Sequence, residues 1–313
     1  MKYWIGLTDN DWFEFLAARR PDEVNFWRPS ARFSFRALEP GGLFLFRLHS
    51  PNPAIAGGGF FVRDSILPLS IAWEAFGDKN GAGDILELRQ RIARHHRLGN
   101  RMEADPLIGC TVLTSPFFFG EDERIPVPPN WSNNIVRGKT YDMEEPIGKM
   151  LWQEVRERLQ AQPESQTIAD VGNNEVGEET PRYSEFLGRI RLGQGGFRVS
   201  VTEAYLRRCA ITGEKTLPVL QAAHIKPYSE SGPHRVNNGL LLRSDLHILF
   251  DAGLLTITRD LKVEISKRIK EEYENGRDYY ALHGKPLAIV PRNPREQPAI
   301  EFLEYHNEHK FAP

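Results

Sequence analysis

Short apolar runs rich in aromatic residues alternate with proline- and glycine-containing turns in the N-terminal part of the chain. This pattern is typical of β-strands that bury one face. The predicted strands are Tyr3–Leu7, Leu43–Leu48, Gly59–Arg63 and Ile108–Leu113. Apolar residues at helical spacing predict two helices, Asp9–Ala18 and Asp84–His96, and Asp9 or Asn10 is the expected N-cap of the first. Residues 1–145 therefore predict a β-rich domain with flanking helices.

The C-terminal part shows a different order, in which a strand, a polar loop, a second strand and a helix follow one another. The predicted elements are a helix at Val199–Arg208, strands at Leu217–Ala222 and Gly239–Leu242, a helix at Ser244–Asp251, strands at Leu254–Thr258 and Lys262–Ile265, and a helix at Lys267–Leu282. A hairpin that folds back over the helix would bring polar side chains of the loop and the helix around one point.

A connector separates these two parts. Residues 146–160 have apolar residues at helical spacing, and the following stretch has few large apolar side chains, as in a linker. Residues 142–180 hold 10 acidic side chains against three basic ones. The predicted fold class is α+β, with domains at 1–145 and 196–313 joined by a helix and an acidic linker at 146–195.

Charge and cysteine content narrow the class of protein. The net charge is −2, but the excess acid lies in the connector, so both domains could present a basic face to phosphate. Cys110 and Cys209 are the only cysteines, which excludes a disulfide framework and fits a reducing cytoplasm. No apolar run approaches the ~18–20 residues that span a bilayer. A soluble cytoplasmic protein without a membrane partner is expected.

Four polar residues in the C-terminal part form the strongest chemical pattern: His224, Asn238, His247 and Asp251. Because His247 and Asp251 are four residues apart on a predicted helix, their side chains share one face and can bind one divalent cation. A histidine on a strand that faces the same point can take a proton from water. The pattern predicts metal-assisted hydrolysis of phosphodiester bonds, although each histidine alone could be an ordinary core residue.

Basic residues near the same loop are candidate phosphate contacts in bound DNA. They are Lys226, His234, Arg235 and Arg243. A solvated surface role is the alternative for each of them.

Residues 196–310 resemble the HNH endonucleases, or ββα-metal nucleases, in the strings AHIKPY, NGLLLRSDLHILFD and YYALHGKPL. The likeness is to the branch found in bacterial modification-dependent restriction enzymes. It implies that His224 is the general base, that Asn238 orients the base or its loop and touches the metal in some members, and that His247 is a metal ligand. Asp251 occupies the next ligand position, which suits one Mg²⁺ or Mn²⁺ per site.

Two positions depart from the family pattern. Ala223 precedes the base where many relatives carry an acidic or histidine ligand. Cys209 lacks a partner thiol in Cys209-Ala-Ile-Thr212, so no structural zinc is expected and Cys209 is predicted to be a small core residue. His306 and His309 could mimic a metal pair, but a surface helix is the prediction for them.

The N-terminal part resembles the PUA-like superfamily, in particular SRA or EVE-type modules, in KYWIGLTDNDWFEFL, FWRP, GGLFLFRLH and GGGFFVRDS. The resemblance implies a β-barrel that receives a flipped modified base in an aromatic-walled pocket. The implied walls are Trp27, Phe26 and Trp73. Asn25 or Asp64 would contact the base edge, although a turn role for Asp64 and a core role for any single tryptophan are the alternatives.

These expectations combine into one hypothesis, a modification-dependent restriction endonuclease. The first domain would bind double-stranded DNA that carries 5-methylcytosine or 5-hydroxymethylcytosine, and the HNH domain would cut nearby. A double-strand break would need a homodimer or two successive nicks. The alternatives are a non-catalytic reader of modified nucleic acid and a sequence-specific HNH nuclease that is indifferent to modification.

Overall fold

The computed structural model describes residues 2–94, 103–161 and 192–313. The chain divides into two compact units, Met1–Ile190 and Arg191–Pro313, and the described residues have a mixed α+β fold. No helix in these ranges is long and apolar enough to cross a membrane.

The first unit is built on one mixed sheet. Its strands are β1 (Lys2–Thr8), β2 (Glu23–Arg28), β3 (Leu43–Leu48), β4 (Ala54–Pro68), β5 (Leu107–Phe118), β6 (Ile125–Pro126) and β7 (Gly138–Asp142). Its helices are α1 (Asn10–Ala17), α2 (Leu69–Phe76), α3 (Ile85–Arg94) and α4 (Pro146–Ala161). The strands follow the order β2-β5-β4-β3-β1-β7, with β6 paired to β4, and only the β1–β3 pair is parallel among these strands.

The predicted strands and helices of this unit are all present, and their boundaries follow local chemistry. Helix α1 begins after Asp9, whose side chain accepts a hydrogen bond from the Trp12 backbone N–H at 2.9 Å. Helix α3 buries Leu88 and Ile92, and its predicted end at His96 lies outside the described residues. Strand β2 was not predicted.

One face of the sheet packs against α4. Tyr3 and Ile5 of β1 share a buried cluster with Leu151 and Val155 of α4, and the Tyr3 hydroxyl donates to the Gly148 carbonyl at 2.9 Å. The helix predicted at the start of the connector is therefore part of the core of the first unit.

The opposite face is concave and aromatic. The rings of Phe26 in β2 and Phe44 in β3 lie 4.7 Å apart between centroids, although β5 and β4 lie between these strands in the sheet. The sheet must therefore curve strongly. Among the described strands β2 and β7 stand at the two ends of the order without pairing, so the closed barrel expected from the sequence is not formed by this part of the chain.

The second unit contains two hairpins and five helices among its described residues. The strands are β8 (Leu220–His224), β9 (Gly239–Arg243), β10 (Leu255–Ile257) and β11 (Val263–Ile265). The helices are α5 (Gln194–Ala204), α6 (Ser244–Asp251), α7 (Arg268–Tyr273), α8 (Arg277–Tyr280) and α9 (Ile300–His309). The β8–β9 and β10–β11 pairs are both antiparallel. Leu246 and Phe250 of α6 enter the same core as Leu241 of β9 and Cys209, so Cys209 is the core residue that the sequence predicts.

Two predictions for this unit were wrong. The single helix expected over Lys267–Leu282 is two short helices, because Gly276 between them adopts a left-handed φ of 111° that a helix cannot contain. His306 lies on the predicted helix α9 but is buried, with its ring stacked 3.7 Å from that of Phe250. Burial lowers the pKa of His306 to about 4.

Candidate active site

His224 is the last residue of β8, and an aromatic side chain packs against one face of its ring. Its cross-strand partner in β9 is Gly239. A side chain at position 239 would come within 2.5 Å of Val201 and 3.0 Å of Phe197, so the glycine leaves room for α5 to approach. The Phe197 ring then stacks on the His224 imidazole, with 3.9 Å between centroids and 10° between planes.

Asn238 is fully buried and ties together the two ends of the loop between β8 and β9. Its Oδ1 accepts from the Lys226 backbone N–H at 2.8 Å. Its Nδ2 donates to the carbonyls of Lys226 and Pro233, each at 3.0 Å. Lys226 comes two residues after His224 and Pro233 immediately precedes His234. Asn238 therefore sets the position of both histidines.

The two histidines contact each other directly. His224 Nε2 lies 2.9 Å from His234 Nδ1, and the His234 ring stacks on Tyr228 with 4.4 Å between centroids. Burial is the main cause that lowers the pKa of His224 to about 4, and the neighbouring His234 and His247 lower it further. His224 is therefore neutral near pH 7, which is the state that a general base requires.

His247 and Asp251 form the pair that helix α6 predicts. His247 Nε2 lies 3.3 Å from Asp251 Oδ2. On its other side, His247 Nδ1 lies 2.8 Å from Gln221 Oε1. An amide oxygen only accepts hydrogen bonds, so Nδ1 donates to Gln221 and Nε2 is the nitrogen that faces Asp251. This is the arrangement by which an outer residue orients a metal-binding histidine.

The side chains of the candidate site can be compared with the ligands that a divalent cation needs. No group of three or more His, Cys, Asp or Glu side chains is arranged to bind a metal within the described ranges. The His247–Asp251 pair supplies one nitrogen and one carboxylate oxygen, and the Asp251 side chain is 62% exposed. These two ligands fit a cation that takes its other ligands from water and phosphate. Ala223 is buried and adds no ligand.

Asn238 does not join this pair. Its amide already makes three hydrogen bonds to backbone groups and is inaccessible to solvent. The geometry therefore favours the alternative in which Asn238 orients the loop.

The candidate phosphate contacts differ in how they are engaged. Arg243 makes a two-pronged ion pair with Asp245, at 2.6 and 2.7 Å, which raises the pKa of Arg243. Lys226 Nζ lies 4.5 Å from the centre of the Tyr305 ring. Arg235 is exposed on the loop. The His234 ring contacts the ring of His224, the candidate base.

The five residues predicted to form a base pocket are not brought together. Phe26 and Asp64 both pair with Thr111 across the strands and share its face of the sheet. Asn25 neighbours Phe26 in the strand and lies on the opposite face, because side chains alternate. Trp27 lies with Asn25 on that face, and Trp73 is on α2.

Hydrogen bonds inside the protein explain these positions. Asn25 Nδ2 donates to Asn80 Oδ1 at 2.8 Å, and Trp27 Nε1 donates to the Asn80 carbonyl at 3.0 Å. Asp64 pairs with Arg28 at 2.6 Å and also accepts from the Phe35 N–H at 2.8 Å. The polar groups of the predicted pocket thus form hydrogen bonds and an ion pair with other residues of the first unit.

Three residues near the site were missed in the sequence. Gln221 orients His247, Phe197 supports His224, and Tyr228 supports His234. Gln221 is three residues before His224, on a strand that was already predicted to end at the site, and that position was the available signal. Phe197 is 27 residues from His224 and carries no local signal of its role.

One family model matches the part of the chain that contains this site. Residues 209–258 match the model of the HNH_2 family, described as HNH endonuclease. No curated protein matches the chain. Two solved structures are similar at low TM-score. The modification-dependent restriction endonuclease TagI is 16% identical, with 91% of this chain and 74% of that chain covered and a TM-score of 0.26.

The second structure is the Type IV phosphorothioation-dependent restriction endonuclease ScoMcrA. It is 9% identical, with 78% of this chain and 48% of that chain covered and a TM-score of 0.18. TM-scores this low do not define a shared overall fold. The matched range contains His224, Asn238, His247 and Asp251. Residues 209–258 therefore correspond to an HNH endonuclease domain.

Proposed function

We propose that this protein is a metal-dependent DNA endonuclease that cuts near modified cytosine. One observation supports the nuclease site most directly. A half-buried, neutral His224 contacts His234 on a loop that Asn238 fixes, and β8 also carries Gln221, which turns Nε2 of His247 toward Asp251. A base and a cation-binding pair that are both oriented before substrate arrives are the parts that phosphodiester hydrolysis needs.

In the proposed reaction, His224 removes a proton from a water molecule in line with the scissile bond. The resulting hydroxide attacks phosphorus, the bond to the 3′ oxygen breaks, and that oxygen takes a proton from solvent. A Mg²⁺ or Mn²⁺ ion held by His247 and Asp251 would supply stabilisation of the negative charge on the phosphate and on the leaving oxygen. General-base assistance of this kind contributes about 10²–10⁴-fold to the rate.

The first unit is proposed to read the modified base. What supports this role is the concave aromatic face of its sheet, on which Trp4, Phe26 and Phe35 are only half-buried and pack around Phe44. Aromatic side chains of this kind stack on unpaired bases. We propose recognition of 5-methylcytosine or 5-hydroxymethylcytosine in double-stranded DNA by base flipping into a PUA-like module.

Matched plasmids test the proposal. Three plasmids of one sequence, carrying cytosine, 5-methylcytosine or 5-hydroxymethylcytosine, are incubated with the protein in Mg²⁺, in Mn²⁺ and in EDTA. We expect cleavage of a modified plasmid with a divalent cation and none in EDTA. Equal cleavage of all three plasmids would instead identify a nuclease indifferent to modification.

Binding measured on the same plasmids separates the remaining alternative. A non-catalytic reader binds the modified plasmid equally in EDTA and in Mg²⁺ and never nicks it. The time course of cleavage also distinguishes two routes to a double-strand break. A nicked intermediate that accumulates indicates successive cuts, and its absence indicates a homodimer that cuts both strands together.

A further inference from the structure

His234 contacts the candidate base, and its predicted role as a phosphate contact does not explain this position. Its Nδ1 lies 2.9 Å from His224 Nε2, which is the distance of a hydrogen bond between two rings. Since His224 is neutral near pH 7, its ring has one nitrogen that donates and one that accepts. The direction of this hydrogen bond therefore decides which nitrogen of His224 can receive a proton.

Only one direction leaves His224 able to act as a base. If Nε2 of His224 accepted from His234, the single ring proton would lie on Nδ1 and the only lone pair would be used in that hydrogen bond. If Nε2 donates to His234, the lone pair on Nδ1 is not used in this hydrogen bond and can accept a proton. Removal of a proton from water requires the second tautomer.

We propose that His234 is the positioning residue for His224. It accepts the Nε2–H of His224 and so holds the ring in the tautomer whose Nδ1 lone pair receives the proton from water. This inference rests on the proposed role of His224 as the general base. It assigns to His234 an effect on the rate of the chemical step rather than on the affinity for DNA.

The surroundings of both rings support a fixed hydrogen bond. Tyr228 stacks on His234 with 12° between planes, and Phe197 stacks on His224 with 10°. Asn238 joins the backbone that carries the two rings. Packing against their faces and the hydrogen bonds of the loop backbone thus fix the positions of the two rings. The hydrogen bond between the rings then selects the tautomer of His224.

Two substitutions separate the hydrogen bond from the stacking. His234→Asn places an oxygen near the position of Nδ1 and keeps an acceptor, but it loses the ring that stacks on Tyr228. His234→Phe keeps an aromatic ring of similar size and loses the acceptor. Both variants are compared with the unaltered protein for kcat, for KM and for DNA affinity in EDTA. Melting of both variants shows whether the fold is retained.

We expect His234→Phe to lower kcat by about 10–100-fold, as for residues that orient catalytic or metal-bound histidines, with KM and DNA affinity unchanged. His234→Asn should keep most of the activity. The opposite ranking would show that stacking matters and would overturn the proposal. A raised KM with an unchanged kcat in both variants would identify a phosphate contact, which also overturns it.

Nitrogen NMR of the histidine side chains tests the hydrogen bond without any cleavage. We expect the Nε2–H tautomer of His224 in the unaltered protein and in His234→Asn, and a mixture of tautomers in His234→Phe. A His224 that carries its proton on Nδ1 in the unaltered protein contradicts the proposal even if the enzyme cuts DNA. If no form of the protein cuts DNA, the nuclease proposal fails, while the NMR result still decides the role of His234.

Discussion

Asn238 in the second unit and Asn25 in the first are both completely buried asparagines, but they bond to different kinds of partner. Asn238 bonds to the backbone at both ends of the loop that carries His224 and His234. Asn25 bonds to the side chain of Asn80 and approaches Cys110 Sγ at 3.5 Å, and its Oδ1 has no hydrogen-bond partner among the described residues.

The difference shows how to interpret a buried polar residue. Burial of an amide is costly unless its groups are bonded, so a buried asparagine always has a structural reason. It indicates a functional site when the backbone that it fixes carries reactive side chains, as at Asn238. Where the partner is another internal amide, as at Asn25, it indicates a connection between elements of the fold.

The largest expected effect concerns the base itself. His224→Ala should lower the cleavage rate by about 10²–10⁴-fold, because it removes the group proposed to take the proton from water. DNA affinity measured in EDTA should stay within a few-fold of the unaltered protein. Asn25→Ala is the matched comparison in the other unit and should leave the rate of cleavage of bound DNA nearly intact. Wild-type cleavage by His224→Ala would remove His224 from the mechanism.

The second expected effect is the loss of stability when each of the two asparagines is replaced by alanine. Asn238→Ala leaves the Lys226 N–H and the carbonyls of Lys226 and Pro233 without this partner, so we expect a loss of about 3 kcal/mol or more in the second unit. Asn25→Ala also removes an oxygen that has no partner in the described structure, so its cost in the first unit should be smaller, about 1–2 kcal/mol.

The positions of the tryptophans make the comparison measurable. All six lie between residues 4 and 152, so tryptophan fluorescence during urea unfolding reports the first unit. Hydrogen exchange over β8 and β9 reports the second unit. Asn25→Ala should shift only the fluorescence transition, and Asn238→Ala should increase exchange only in the hairpin. Equal shifts of both signals by either variant would mean that the two units unfold together.

The smallest of the three effects is expected on acidification. Burial lowers the pKa of His306 from 6.5 to about 4 in the folded state, so the unfolded chain binds a proton more readily between these values. The contribution of His306 to the stability of the second unit is then fully present above pH 6.5 and is lost as the pH falls toward 4. For His306 the loss is about 3 kcal/mol at most.

Hydrogen exchange of α9 and the adjacent β10, measured between pH 7 and 4 after correction for intrinsic rates, follows this loss. His306→Gln is the control, because it cannot be protonated in this range. We expect a weaker pH dependence in that variant. An equal dependence in both proteins would assign the acid sensitivity to other groups.

Local patterns predicted much of the candidate site in the second unit, because its polar residues are concentrated in a short stretch. Helix α6 was predicted with both boundaries correct, and the spacing of His247 and Asp251 follows from that helix. Strand β2 was missed because its buried Glu23 and Asn25 are polar. Their partners Lys79 and Asn80 come more than 50 residues later in the chain, and no local pattern records such a contact.

The residues predicted for the base pocket lie on different faces of the sheet for a related reason. Residues that are close in sequence, such as Asn25 and Phe26, lie on opposite faces of a strand. Predicting which aromatic residues meet needs the curvature of the sheet, since Phe26 and Phe44 belong to strands that are not neighbours. In the second unit, the contact between His224 and His234 depended on how the loop closes, which the spacing of ten residues does not specify.

The hydrogen bonds of Asn238 also have a consequence for sequence change. They anchor the loop at Lys226 and Pro233, so the residues after Tyr228, which itself stacks on His234, form a tip whose own length does not set the positions of the two histidines. Such a tip can accept insertions or a new recognition peptide while the catalytic geometry persists. The hairpin is therefore a natural point at which variants of this protein could acquire contacts with different ligands.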